Sequence, residues 1–286
     1  MHPYPFAYRR ASTVNEALAL LASEEEPKLL AGGQSLLPVM KLRLAQPGTL
    51  IDISEIADLR GVRLDGDTLV IGALTTHHDL ETDPLIATHA PLLAEAARVV
   101  GDQQVRNRGT IGGVLAHADP AADYPAGVLA LEATVTATGP NGEREIPVTG
   151  FFQGFMTSAL AENELLTSIR IPILDGARGT SYQKLANPAS GYAIVGVAAV
   201  VTLTADGSVG SLKLGLTGVG DVAYRATAVE EALAGQQPTA EAVKEAASHA
   251  VDGIEPLGDL HAPAAYRGKV ARNLSRRAIM IAVERA

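Results

Sequence analysis

The sequence predicts an α+β protein: a two-lobed N-terminal region, then a domain of three antiparallel strands and helices. Three observations carry the prediction. Strand and helix patterns alternate over residues 1–55, as in a small α/β lobe, and residues 56–175 mix hairpins with helical stretches. Beyond Gly179, three strand patterns precede three helix-forming stretches, an order that marks a separate α+β unit. Asp175-Gly176-Ala177-Arg178-Gly179 reads as the linker, so the boundaries fall at 1–175 and 177–286.

The elements follow in order. Thr13-Val14-Asn15-Glu16 has the capping-box form, and Val14, Ala17, Leu18 and Leu21 then supply one apolar helical face. Residues 28–31 and 50–53 read as short buried strands. A helical turn lies between them over 35–42, with Pro38 tolerable only near its start. Residues 62–72 form a hairpin pattern around Asp65-Gly66. Thr76 and Pro84 open helical stretches, the second reaching over 92–100 to stop at Gly101. Residues 121–131 suit a helix, 134–138 a strand, Pro140-Asn141-Gly142 a turn, and Ile169-Arg170-Ile171 a strand closed by Pro172. The late strands are 181–185, 193–203 and 209–217, and the late helices 226–234, 240–251 and 265–285.

Composition narrows the function. Thirty-two acidic residues against 23 basic ones give a net charge of −9, which argues against nucleic acid, whose phosphates need clustered cations. The densest basic group, Arg272, Arg276 and Arg277, sits in the last helical pattern. With no cysteine, the chain holds no disulfide, iron–sulfur cluster or catalytic thiolate of its own. The N-terminus carries no apolar signal core, and the longest apolar run, 192–201, is too short to cross a bilayer. A soluble cytoplasmic protein is expected.

Two glycine-rich segments stand out. One reads Ala31-Gly32-Gly33-Gln34-Ser35-Leu36-Leu37-Pro38, the other Gly109-Thr110-Ile111-Gly112-Gly113, running on to Ala116-His117-Ala118-Asp119-Pro120-Ala121-Ala122-Asp123. Neither contains Lys or Arg. Each offers backbone N–H groups with little Cβ bulk in the way, which is how a protein holds a diphosphate without cationic side chains. A tight turn leaving a strand is the alternative for each. Together they suggest one extended dinucleotide pinned between two lobes, although neither fits the single-loop nucleotide motifs.

Other residues are more equivocal. Asp119-Pro120 suits a helix N-cap followed by an N1 proline, while Asp123 is left open between a first-turn acid and a ligand for hydroxyls. His77-His78 are adjacent, so one helix face cannot present both to a metal, and a solvated helix start is the better account. Lys184 in Tyr182-Gln183-Lys184-Leu185 reads as a solvent-facing strand lysine, or else as a cation in an interdomain cleft. Gly191-Tyr192 places an aromatic where it could cover a planar ligand, or simply starts a strand.

The two glycine segments together resemble the molybdenum hydroxylases, specifically their FAD-binding medium subunit, as in aerobic carbon monoxide dehydrogenase and xanthine dehydrogenase-like enzymes. Phe151-Phe152, Glu164-Leu165-Leu166, Ile169-Arg170-Ile171-Pro172 and Tyr182-Gln183-Lys184-Leu185 continue the likeness, which runs end to end. The resemblance implies a two-lobed FAD-binding domain of the vanillyl-alcohol-oxidase (PCMH) type and a C-terminal flavoprotein domain. It also implies a small partner with two [2Fe–2S] clusters and a large molybdopterin subunit, assembled as a dimer of heterotrimers. Electrons would pass from those clusters through FAD to an external acceptor.

By the same resemblance, Leu30, Ala31, Gly32, Gly33, Gln34, Ser35 and Leu36 wrap the FAD diphosphate. Thr110, Ile111, Gly112, Gly113 and Val114 form the facing loop, with the Thr110 hydroxyl on the phosphates. Asp123 contacts FAD hydroxyls, Leu166 and Lys184 line the cofactor, and Tyr192 lies at the isoalloxazine. Val114 stands where many relatives carry Asn or Asp, and Gln34 where some carbon monoxide dehydrogenases carry His. No residue of this chain is expected to act as a catalytic acid, base or metal ligand. The competing readings are a self-sufficient flavin oxidoreductase acting on a small molecule, and a nucleotide-binding scaffold.

Overall fold

Three short parallel strands and two crossover helices begin the chain. The computed structural model describes residues 2–173 and 176–286; Asp175 of the expected linker lies outside the described residues. Strand β1 (Ala7–Arg10) leads to α1 (Val14–Ser23), β2 (Pro27–Leu30), α2 (Leu36–Lys41) and β3 (Thr49–Asp52), with sheet order β1-β3-β2. Central β3 is buried along its whole length. The Thr13 hydroxyl caps α1 by accepting from the Glu16 N–H at 3.1 Å, but the Glu16 carboxylate turns back one residue further than expected, to Ser12. All three strands point the same way, so the segments after their carboxyl ends gather along one edge, where open α/β sheets bind ligands. The first glycine ribbon, which follows β2, lies on that edge.

A second lobe follows. A 3-10 turn (Ala57–Leu59) leads to the hairpin β4 (Val62–Asp65) and β5 (Thr68–Gly72). Six helices come next: α3 (His77–Thr82), α4 (Pro84–His89), α5 (Pro91–Arg98), α6 (Gln103–Arg106), α7 (Ile111–His117) and α8 (Tyr124–Ala130). Strands β6 (Thr134–Gly139), β7 (Gly142–Pro147), β8 (Phe152–Gly154), β9 (Thr157–Ser158) and β10 (Leu165–Pro172) complete it. The five-stranded antiparallel sheet has order β4-β5-β10-β6-β7. Its alternating residues Leu69, Ile71, Val135, Ala137, Ile169 and Ile171 share one buried core with Leu92, Leu93 and Tyr124 of the helices.

Three expectations for this lobe need correction. The stretch opened by Pro84 is two helices rather than one, because Pro91 begins α5 afresh. The expected helix over 121–131 shortens to α8, since the Asp119 carboxylate caps no helix; it accepts from the Ala121 N–H at 2.8 Å in a local turn. The second glycine segment is not a loop but the first turn of α7.

The C-terminal sheet has three long antiparallel strands, β11 (Gly179–Ala186), β12 (Ala193–Leu203) and β13 (Val209–Thr217), plus a two-residue fourth, β14 (Tyr224–Arg225), that sequence pattern did not reveal. Helices α9 (Thr227–Leu233), α10 (Ala240–Ala247) and α11 (Ala264–Glu284) cover one face, burying Val195, Val197, Leu214, Val229, Ala271 and Ile279 together. The other face meets the middle lobe: Tyr182, Ala198 and Val200 belong to that lobe's core. Backbone bonds seal the join, from the Ala193 N–H to the Ala121 carbonyl at 3.0 Å and from the Gly218 N–H to that of Pro120 at 2.6 Å.

Gly215 of β13 is where the join is tightest. A Cβ there would fall onto the Ala126 carbonyl oxygen of α8 and 2.9 Å from its carbonyl carbon. Backbone cannot swing aside as a side chain does, so Gly215→Ala is expected to destabilise the chain by about 1–3 kcal/mol. Chemical denaturation measures it, and a variant within about 0.5 kcal/mol of the parent, the range of neutral surface changes, would show that the join is looser than described.

Candidate functional site

The two glycine ribbons lie against each other. A Cβ at Gly32 would land on the Arg108 carbonyl oxygen and 2.8 Å from the Gly109 Cα, and one at Gly113 would come 3.9 Å from the Ala31 Cβ. Gly33 takes φ +74°, a left-handed turn that suits glycine and directs the chain into α2. Gly109, Thr110 and Ile111 are in turn pinned to the segment before α3: His77 N–H donates to Gly109 O at 3.0 Å and Ile111 N–H to Thr75 O at 3.1 Å.

Their hydrogen bonding is unequal. Among the described residues, the N–H groups of Gly32, Gly33, Gln34, Ser35 and Leu36 donate to no protein acceptor. In the second ribbon the donors are already committed: Ile111 to Thr75 O, Gly112 to Ala73 O at 2.9 Å, Gly113 to the Thr110 hydroxyl at 3.1 Å and Val114 to Thr110 O. The expected symmetric cradle is therefore one-sided. Residues 32–36 present a run of free donors at the start of α2, which attracts an anion, while residues 111–114 form the wall. The Thr110 hydroxyl accepts from Gly113 and keeps its own proton to donate.

Cations also enter, contrary to the reading from the ribbons alone. A cavity of about 200 Å³ beside Gly32 is lined by Ala31, Thr76 and Thr110 together with Arg60, Arg108 and Glu55, although Arg60 already donates to the Ser54 carbonyl. Arg108 stands one residue before the second ribbon, and Arg60 arrives from the turn ahead of β4; neither was singled out from sequence. A larger groove of about 460 Å³ on the outer face of the five-stranded sheet is less apt. Its Arg144 and Arg170 are already paired with Glu164 at 2.6 Å and Asp65 at 2.9 Å.

The remaining predicted residues divide into two groups. Tyr192, 38 % exposed, closes the turn into β12 and brings its hydroxyl near the Ser35 side chain of the first ribbon. Burial raises its pKa, against the opposing effect of the Ser35 hydroxyl. Ser35 thus occupies the cap position of α2 without capping it. Ile111, Gly112 and Leu166 face inward; Ile111 and Leu166 are core residues, so only their backbone or flank is open to a ligand.

Asp123 and Lys184 are joined by a buried ion pair at 2.9 Å, which overturns the solvent-facing reading of Lys184. Lys184 Nζ also donates to Val99 O at 3.0 Å, and the Tyr182 hydroxyl to Asp123 at 2.6 Å. Burial pushes the Asp123 carboxyl up, opposed by Lys184 and Tyr182. The pair ties the start of α8 to β11.

His77 also departs from expectation. Thr76 does open α3, with a full capping box to Asp79, but the histidine after it is buried at 2 % exposure, its ring centroid 5.2 Å from that of Tyr124. Burial, helped by nearby Arg106, lowers its pKa from 6.5 to about 4. A base weakened by folding is protonated more readily in the unfolded chain. Stability from this group is therefore whole above pH 6.5 and falls as the pH drops toward 4, by about 3 kcal/mol in total. Denaturation between pH 4 and 7 tests it: His77→Gln should remove that part of the slope, and an unchanged slope would assign it to other groups.

Comparison with known proteins agrees with this frame. Residues 4–174 match the family of the FAD binding domain in molybdopterin dehydrogenase, and residues 180–282 the CO dehydrogenase flavoprotein C-terminal domain. The chain is 44 % identical to the carbon monoxide dehydrogenase medium chain of Hydrogenophaga pseudoflava, over 98 % of this chain and 97 % of that one. It is 37 % identical to the glyceraldehyde dehydrogenase medium chain of Sulfolobus acidocaldarius, over 97 % and 98 %. A solved structure of the Hydrogenophaga pseudoflava carbon monoxide dehydrogenase, lacking the Mo-pyranopterin moiety of its cofactor, superposes with a TM-score of 0.96 at 45 % identity, covering 100 % of both chains. Five free N–H donors on one glycine ribbon, braced by a second, thus sit in a chain that belongs to the FAD-binding family of the molybdopterin dehydrogenases, as a medium subunit of the carbon monoxide dehydrogenase type.

Proposed function

We propose that this chain holds FAD without a covalent bond and passes electrons from the iron–sulfur clusters of a partner subunit to an external acceptor. The observation that carries the reading is the run of five unengaged N–H groups over residues 32–36. The two negative charges of a diphosphate fit such a run, and no Cβ stands in the way at Gly32 or Gly33. The chain has no Cys and the first ribbon no His, the usual points of covalent flavin attachment. When bound, the flavin supplies the electron relay; the protein supplies position and electrostatics.

The residues divide that work. Leu30 and Ala31 end the strand that aims the ribbon; Gly32, Gly33, Gln34, Ser35 and Leu36 donate to the diphosphate. Thr110 adds its hydroxyl, and Ile111, Gly112, Gly113 and Val114 form the opposing wall. Tyr192 covers the ring system, the Asp123–Lys184 pair holds α8 to β11 at the edge of the cofactor unit, and Leu166 meets the cofactor through its backbone or flank. Residues 1–175 thus act as the cofactor-binding unit, and residues 177–286 as the unit that carries Tyr192 and Lys184 to it.

The partners proposed are a small subunit with two [2Fe–2S] clusters and a large molybdopterin subunit, in a dimer of heterotrimers in the cytoplasm. A chain with no cysteine needs such a division of labour. Relatives named for carbon monoxide and for glyceraldehyde are similar to this chain over nearly their whole length, so substrate choice belongs to the large subunit.

The test is the complex purified with its partners. It should show the blue and near-ultraviolet bands of oxidised flavin, at one FAD per medium chain. Gly32→Ala should weaken FAD binding at least about tenfold, roughly 1.4 kcal/mol. A colourless complex would sink the proposal, and flavin reduced by substrate in this chain alone would favour a self-sufficient oxidoreductase.

A further inference from the structure

We propose that His77 is a positioning residue for the cofactor cradle, setting the height of the first glycine ribbon through Gly109. The inference rests on residues 32–36 holding the FAD diphosphate.

The contacts form a stack of three layers. The imidazole of His77 lies beneath Gly109: a Cβ on Gly109 would come 2.5 Å from His77 Nε2 and 2.9 Å from Cδ2. Gly109 lies in turn beneath Gly32, its Cα 2.8 Å from where a Gly32 Cβ would stand. The His77 N–H holds the Gly109 carbonyl at 3.0 Å, so ring and turn move together. The stack is closed from below, because His77 is 2 % exposed and Tyr124, against its ring, is fully buried.

Stability alone does not account for a histidine here. Its Nδ1 is buried without a hydrogen-bond partner, as is the Tyr124 hydroxyl of the same cluster. An orphaned buried polar atom costs about 1–3 kcal/mol, which an apolar side chain of similar size would avoid. The imidazole reaches less far from its Cβ than a six-membered ring, which would press on Gly109, and is broader than an aliphatic chain, which would leave a gap. Sub-ångström changes at Gly109 pass to Gly32 because neither layer has a side chain to absorb them.

The experiment is a double-mutant cycle on the assembled complex, stripped of flavin and titrated with FAD, with melting temperature recorded separately. His77→Ala should raise the FAD dissociation constant about tenfold by letting the turn sink. Gly109→Ala should do the same by driving its methyl into the ring. The double variant should bind FAD more tightly than either single one, because the methyl fills the vacated space. Additive losses, or FAD affinity that follows melting temperature alone, would overturn the proposal, since a merely structural histidine gives no such compensation. His77→Asn, which keeps a smaller polar side chain, replaces His77→Ala in the cycle if the latter does not assemble. A wild-type complex that binds no FAD refutes the cofactor reading itself; wild-type binding with no effect of either His77 variant refutes only the role of His77.

Discussion

Everything at the site depends on two backbones meeting with no side chain between them. Where Gly32 passes over Arg108 and Gly109, a single methyl would overlap a carbonyl oxygen. Close approach lets the second ribbon act as a wall while the first keeps its donors free. Had the two ribbons paired as strands, their N–H groups would have satisfied each other, and no donors would remain for an anion. The division is built in by different partners: residues 111–114 spend their donors on Thr75, Ala73 and Thr110, and residues 32–36 have no such neighbours among the described residues.

The C-terminal sheet is fastened to this arrangement from behind. Thr217 and Gly218 bond the carbonyls of Pro120 and Ala122, and Gly215 lies flat against α8. The buried pair of Asp123 and Lys184 adds little net stability, since desolvating two charges offsets most of their attraction. Its effect is directional. With Tyr182 and the Val99 carbonyl as further partners, the pair fixes one register between α8 and β11. Strand β11 leads directly into the turn that carries Tyr192.

Much of this was legible in the sequence. Thr13, the Asp65-Gly66 hairpin, the three late strands and the last three helices declare themselves through local patterns, and structure follows them closely. Both glycine ribbons were visible as well, because freedom from Cβ bulk is a property of single residues. What escaped was long-range. Lys184 looks like a surface lysine until Asp123, 61 residues earlier, closes over it. His77 looks solvated until Tyr124 and the Gly109 turn cover it. Arg60 and Arg108 join the cavity only because distant turns meet there. The fate of the donors in the second ribbon was equally hidden, since four helices, α3 to α6, separate Ala73 and Thr75 from it in the chain.

A cradle built from backbone donors has a consequence for specificity. Amides recognise the charge and spacing of a diphosphate but nothing further along the ligand, so the same frame serves a chain whatever its partners oxidise. The free variables are the side chains at the rim. Ser35 and Tyr192 belong to different units and stand near each other at that rim. On the proposed reading anchoring and tuning then fall to different parts: the glycine ribbons, backed by core, would hold the diphosphate, and the half-buried Tyr192 would be the second unit's contribution to the cofactor's surroundings.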